Sequence, residues 1–258
     1  MNKKYRKAII AGNWKMNLTP SMVKNYVEEL RVAMPKVKSC DMVLCVPSPM
    51  IAALGKAVRD FSRIGIGAQD VSEFECGAYT GDVSCDMLTD LGVKYVIVGH
   101  SERRAYHGED DFKVAAKVRA VLRNGMNPII CVGESQFQRE RGLTMELINY
   151  QVTAAMSALS EDHARRCIIA YEPLWAIGTG AVATPEQAQE VCAEIRRVVK
   201  KNFGAKTARS ISILYGGSMN AINAGVLLAQ PDIDGGLIGG ASLKAQDFAK
   251  IIAATHQE

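Results

Sequence analysis

The sequence contains no C-x-x-C pair, and its four histidines never fall at metal-ligand spacing. Structural zinc sites and disulfide frameworks need such clusters, so the seven cysteines read as reduced, mostly buried small hydrophobes of a cytosolic protein. Apolar runs such as Val96 to Val98 and Gly225 to Ala229 fall well below the roughly 18 residues of a membrane span, which leaves a soluble chain with no membrane partner. A secretory leader is excluded too. Ala8 to Ala11 runs into Asn13 and Lys15, short of the roughly 7 to 15 apolar residues such a segment needs. There is no Pro- or Ser-rich linker, no short-period repeat, no low-complexity stretch and no dinucleotide fingerprint.

Charge of one sign is also missing. The 31 basic residues are scattered among 27 acidic ones, for a net charge of +4, which argues against a nucleic-acid partner and suits a small anionic substrate. Lys3, Lys4, Arg6 and Lys7 do cluster, and residues 1–7 read as a short, solvated basic leader ahead of the first strand.

The 258 residues are 48% hydrophobic and 22% charged, enough to bury a large core. That length admits two small domains or a single α/β barrel of roughly 250 residues. Short apolar runs recur, each followed by a turn signal and a stretch of helical periodicity. Strands are expected at Ala8 to Gly12, Met42 to Val46, Ile64 to Ala68, Tyr95 to Val98, Asn127 to Val132, Cys167 to Tyr171, Ser212 to Tyr215 and Ile233 to Ile238. Helices are expected at Ser21 to Met34, Pro49 to Phe61, Ser84 to Leu91, Asp111 to Asn124, Thr144 to Leu159, Pro185 to Phe203, Met219 to Ala229 and Leu243 to Ala254. The start at Thr184-Pro185-Glu186-Gln187 combines a capping threonine, a first-turn proline and a capping-box glutamine.

The strands are apolar throughout, as parallel strands covered on both faces must be. Eight β-then-α units without a linker fit one closed (β/α)8 barrel of eight parallel strands, spanning residues 1–258, better than a doubly wound open sheet. In such barrels the chemistry lies at the C-terminal strand ends. Asn13 and Lys15 follow the first strand, His100 and Glu102 the fourth, and Glu172 the sixth; Gly216-Gly217-Ser218 and Gly239-Gly240 follow the last two.

Taken singly, each of these has a bland reading. A strand-end glutamate is usually a salt-bridge partner, a strand-end histidine a satisfied structural group, a lysine a surface charge, and a glycine pair a tight turn needing positive φ. Taken together they offer a carboxylate base, a polarising imidazole, a cation and a backbone cradle for a phosphate dianion. That set suits proton abstraction beside the carbonyl of a small phosphorylated substrate, with no cofactor and no metal. Pro173 to Gly180, stiff and apolar before it ends in Gly178-Thr179-Gly180, has the makeup of a lid that moves as a unit.

These residues lie in motifs that resemble the triosephosphate isomerase family over essentially the whole chain. The motifs are Asn13-Trp14-Lys15-Met16-Asn17, Gly99-His100-Ser101-Glu102-Arg103-Arg104, Cys131-Val132-Gly133-Glu134, Tyr171 to Gly180, Tyr215-Gly216-Gly217-Ser218 and Ile238 to Leu243. The resemblance implies reversible isomerisation of dihydroxyacetone phosphate and D-glyceraldehyde 3-phosphate through a cis-enediolate, in glycolysis and gluconeogenesis, without cofactor. It implies Glu172 as the base, neutral His100 as the proton shuttle, Lys15 as the cation, Asn13 as an anchor and Glu102 as the partner of Lys15. Gly178, Ser218, Gly239 and Gly240 would hold the phosphate, under a lid of Pro173, Leu174, Trp175, Ala176, Ile177, Gly178, Thr179 and Gly180.

A cytoplasmic homodimer is implied as well. Its contact would be the loop from Gln69 to Cys85, with Gln69, Tyr79 and Thr80 at the interface. Ala181, Ala183, Asp82 and His107 depart from the family pattern, which bears on lid rates and dimer strength. A silent barrel kept as a scaffold, a different phosphate-barrel isomerase and a Schiff-base aldolase are the competing readings.

Overall fold

The computed structural model describes residues 5–36, 38–176 and 182–255. Eight strands close into a barrel in chain order, every neighbouring pair parallel, with the last strand paired to the first. They are β1 (Ile9–Asn13), β2 (Asp41–Val46), β3 (Ile64–Ala68), β4 (Tyr95–Val98), β5 (Asn127–Val132), β6 (Ile168–Tyr171), β7 (Ser212–Tyr215) and β8 (Gly235–Ile238). The principal covering helices are α1 (Val23–Ala33), α2 (Ser48–Ala57), α3 (Cys85–Asp90), α4 (Ser101–His107), α5 (Asp111–Arg123), α6 (Gln136–Glu140), α7 (Thr144–Ala155), α8 (Glu161–Ala164), α9 (Pro185–Ser210), α10 (Ala224–Leu228) and α11 (Ala245–Ala253). No helix among the described residues is long and apolar enough to cross a membrane.

The two-residue period of a strand divides the apolar side chains into two cores. Ile9, Ala11, Val43, Cys45, Ile97, Ile129, Cys131, Ile168, Ala170, Leu214 and Leu237 fill the barrel interior. Their strand neighbours, among them Ile10, Leu44, Ile130, Ile169, Ile213 and Ile238, pack outward against the helices. Both faces of most strands are therefore dry, which is why the sequence shows continuous rather than alternating apolar runs.

Strand placement agrees with expectation within about two residues, the usual uncertainty of an element end. The helices differ more, and local hydrogen bonding explains how. The helix expected from Met219 begins only at Ala224, because Asn220 Oδ1 accepts from the backbone N–H groups of Ile222 and Asn223 and holds the intervening residues in a turn. The helix expected to run to Leu159 ends at Ala155, before the left-handed Ala158. The expected stop at Phe203 is real in backbone terms, since Gly204 at φ 80° breaks α9.

Helices α4, α6 and α8 are additions: each is too short to show periodicity, and each starts at a side-chain cap, from His100, Ser135 and Ser160.

The solvated leader is corrected at Arg6. Its guanidinium is buried, lying 3.1 Å from Asp234 and 3.5 Å from Asp232, while Pro231 accepts a further bond. Arg196 of α9 reaches the same two carboxylates at 2.7 Å each. A basic residue next to a strand reads as solvated in sequence, whereas here it closes the barrel floor against an acidic pair 226 residues away.

Candidate active site

The interior parity of the strands continues past their ends. Residues two beyond the last inward side chain still face the barrel axis, so Asn13 follows Ala11, Gly133 follows Cys131, Glu172 follows Ala170, and Gly239 follows Leu237. Asn13, Glu172 and Gly239 border one cavity of about 750 Å³ at the barrel mouth, together with Lys15, His100, Ser101, Glu102, Ser218 and Gly240. The expected Asn13, Lys15, His100, Glu102, Glu172, Ser218, Gly239 and Gly240 thus lie around a single opening.

Glu172 is 2% exposed. Its Oε1 lies 2.9 Å from His100 Nε2, and its Oε2 accepts the Ser101 backbone N–H at 3.0 Å. Burial alone would push this carboxyl up; the imidazole, the Ser101 N–H and the Lys15 ammonium together hold it below the ordinary carboxylate value.

His100 lies two residues past β4, after Gly99, and caps α4, where its Nδ1 accepts the Glu102 backbone N–H at 3.2 Å. A nitrogen that accepts a hydrogen bond carries no proton, so the ring's hydrogen sits on Nε2 and is donated towards Glu172. Burial lowers the imidazole pKa and the facing carboxylate raises it, with an upward net effect while Glu172 stays against it.

Lys15 has a left-handed backbone, φ 51°, stabilised where its N–H donates to Asn13 Oδ1 at 3.0 Å. Its Nζ meets Glu102 Oε1 at 2.7 Å. Gln69, expected at an interface, donates within its own chain to the carbonyls of Lys15 and Cys45, at 3.1 and 3.0 Å, and so props the Lys15 turn. Thr80 is exposed, and Tyr79 stacks on Phe74 at 4.1 Å between centroids and 3° between planes. Met16 is 95% exposed beside Lys15, and His107 is exposed on α4. Asp82 accepts from Ser72 Oγ at 2.7 Å, a bond made within the loop itself.

The glycines near the phosphate cradle differ from the tight-turn reading. None of Gly216, Gly217, Gly239 and Gly240 has positive φ. Gly216 and Gly217 are bare because a Cβ on either would run into Tyr171, Glu172, Tyr215 or Pro173.

Only the first part of the lid can be described, and Ile177, Gly178, Thr179, Gly180 and Ala181 lie outside the described residues. Pro173 is buried, and Leu174, Trp175 and Ala176 form a 3-10 turn. Sequence reasoning noted Glu134 in a motif without giving it a role. It is fully buried and accepts from Trp175 Nε1 at 2.9 Å, Tyr171 Oη at 3.1 Å and Arg139 at 3.0 Å, while its carbonyl takes the Leu174 N–H. Ser101 was missed also, because its part is a backbone N–H that no side-chain pattern marks. Ala183, just past the lid, is buried.

Among the described residues no group of three or more His, Cys, Asp or Glu gathers to hold a metal ion.

Comparison with known proteins places this geometry. The family model described as triosephosphate isomerase matches residues 8–255. A triosephosphate isomerase of Acetivibrio thermocellus is 50% identical over 246 residues, covering 95% of this chain and 97% of the relative. Those of Cytophaga hutchinsonii and Paracidovorax citrulli are 49% and 50% identical, over 95% and 96% of this chain and 98% of each relative.

Proposed function

The chain belongs to the triosephosphate isomerase family, and on that premise we propose how its own residues carry out the reaction. The activity is the reversible interconversion of dihydroxyacetone phosphate and D-glyceraldehyde 3-phosphate, an aldose–ketose isomerisation.

Glu172 removes the proton from the carbon beside the carbonyl and returns it to the neighbouring carbon. Its depressed pKa keeps it ionised and ready, and its bonds to His100 and Ser101 mark the resting position from which substrate draws it. Once the substrate oxygens take the place of the carboxylate at His100 Nε2, the attraction that raised the imidazole pKa weakens. Burial and the Glu102 N–H on Nδ1 then both favour the neutral ring. A neutral Nε2–H polarises the carbonyl, and the ring passes a proton between the two enediolate oxygens.

Lys15, steered by Glu102, supplies positive charge to the developing oxyanion, with Asn13 fixing the Lys15 turn. The backbone at Ser218, Gly239 and Gly240 forms the phosphate side of the cavity, and Gly178 would complete it. The lid from Pro173 to Gly180 would shut out water and so protect the enediolate from side reactions.

The observation that carries this reading is the convergence of Glu172, His100 and Lys15 with the last two strand ends around one cavity. Working in the cytoplasm as a homodimer through the Gln69 to Cys85 loop belongs to the same proposal. The exposed Met16, Phe74, Tyr79 and Thr80 support it as surface left for a second copy.

A coupled assay of glyceraldehyde 3-phosphate isomerisation tests the whole. Glu172→Gln should lower kcat by about 10² to 10⁴-fold while leaving phosphate binding nearly unchanged. Near-normal turnover in that variant would show that the base is another residue. A folded parent protein without activity would favour the scaffold reading.

A further inference from the structure

The turn from Gly216 to Ser218 rests on the side chain that follows it. Met219 is 4% exposed, and its thioether packs in the apolar layer between barrel and helices. Beneath it lies β8, where Leu237 faces the barrel interior and its neighbour Gly236 faces outward. A Cβ built on Gly236 would lie 2.8 Å from Met219 Sδ, 3.2 Å from Cε and 2.6 Å from Ile238 Cδ1. The methionine therefore occupies the space that a side chain at 236 would fill.

Polar contacts secure both ends of this segment, the first where Gly216 donates its N–H to the Tyr171 carbonyl at 2.7 Å. Asn223 donates to the Ser218 carbonyl at 3.0 Å and accepts the Asn220 N–H at 2.8 Å, which orients the residues leading into α10. Between these two anchors, the height of the turn above the sheet also depends on what lies under Met219, whose side chain packs against β8. An unbranched thioether is by itself a poor spacer, since it has three rotatable bonds. Seated against Gly236 of a paired strand and only 4% exposed, it becomes a better defined one.

We propose that Met219 is a positioning residue for the phosphate site: its thioether, socketed over the bare backbone of Gly236, sets where Ser218 meets the phosphate of the substrate. This rests on the reading of Ser218, Gly239 and Gly240 as the phosphate cradle. A methyl group at 236 displaces the thioether, and since Met219 also borders the cavity, the displacement is felt at Ser218 one residue away and at the phosphate side of that cavity.

The test is steady-state kinetics with glyceraldehyde 3-phosphate on Gly236→Ala, Met219→Ala, Met219→Leu and the Met219→Ala/Gly236→Ala double variant. Each is paired with inhibition by inorganic phosphate and a thermal melt. Gly236→Ala should raise KM and the phosphate inhibition constant by the same factor, about three- to ten-fold, with kcat changed by less than about two-fold. The double variant should recover most of that loss, because the new methyl occupies the emptied socket.

A Gly236→Ala protein with a lowered Tm but unchanged KM and phosphate inhibition would overturn the proposal. So would a double variant in which the two losses simply add. Should Gly236→Ala not fold, the other two single variants decide: Met219→Ala raising both constants while Met219→Leu leaves them near the parent supports the role, and equal behaviour of the two rejects it. Inorganic phosphate failing to compete in the parent would overturn the cradle reading itself, and with it this one. Normal competition in the parent that no substitution moves would overturn the Met219 role alone.

Discussion

Glu172 keeps a charge where burial would normally remove it. Desolvating a carboxylate costs about several kcal/mol, and here His100, the Ser101 N–H and Lys15 offset that cost without a formal bidentate partner. These offsets can be exchanged for contacts to substrate, which suits Glu172 to the role of base proposed for it. Since His100 leads the groups that lower the Glu172 pKa, replacing it moves that pKa up. His100→Gln should therefore shift the acid limb of kcat/KM to higher pH, besides lowering the rate; an acid limb that stays in place would show that the imidazole does not set the charge of the base.

Gly133 matters at the same scale. A Cβ there would intrude on the Glu172 carbonyl and come within 3.0 Å of Leu174 Cδ1. Gly133→Ala should cost about 1 to 3 kcal/mol of stability and more activity than that loss explains, measured by denaturant unfolding beside kcat.

At the scale of elements, two short segments depend on distant partners. The first turn of the proposed lid, Leu174–Ala176, hangs on Glu134 from the end of β5, with Arg139 of α6 both paired to Glu134 and 4.6 Å over the Trp175 ring. The approach to β1 hangs on Asp232 and Asp234 before β8, through Arg6 and Arg196. Asp232→Asn removes one of two carboxylates facing two buried guanidinium groups, and should destabilise by about 3 to 5 kcal/mol.

Asp232 also gives that cluster a pH dependence whose sign is fixed. Despite burial, Gln189 and the two arginines hold its pKa below the usual value, so its contribution is present above the ordinary carboxylate pKa and lost as pH falls through the depressed one. Asp234, pushed up by burial, has the opposite sign. The difference in unfolding free energy between parent and Asp232→Asn should therefore shrink on acidification, and a difference that is flat with pH would contradict the assignment.

At the scale of the molecule, the barrel carries a surface that its own core does not account for. Met16 stands exposed beside Lys15, and Phe74 and Tyr79 hold the outer loop in a stacked pair. Exposed apolar groups next to an active site are unfavourable in a lone subunit and suit contact with another. Sedimentation at micromolar concentration should show a species near twice the 28.0 kDa chain mass; a 28.0 kDa species alone would reject the dimer.

The sequence by itself determined the eight strands and the barrel, because a strand dry on both faces must be written as an unbroken apolar run, and eight such runs with helices between them leave few ways to close. It marked the candidate site's side chains as well, since Asn13, Lys15, His100, Glu102 and Glu172 all stand just beyond those runs and border one cavity. Tertiary structure decided what lies between residues far apart in the chain. The backbone N–H of Ser101 on the base, Glu134 under the lid, Arg6 against the acidic pair and Met219 over Gly236 leave no periodic trace, because each depends on a distance that only the closed barrel sets. It also decided why Gly216 and Gly217 are glycines: they avoid collision with Tyr171, Glu172, Tyr215 and Pro173, where a local reading had only positive φ to offer.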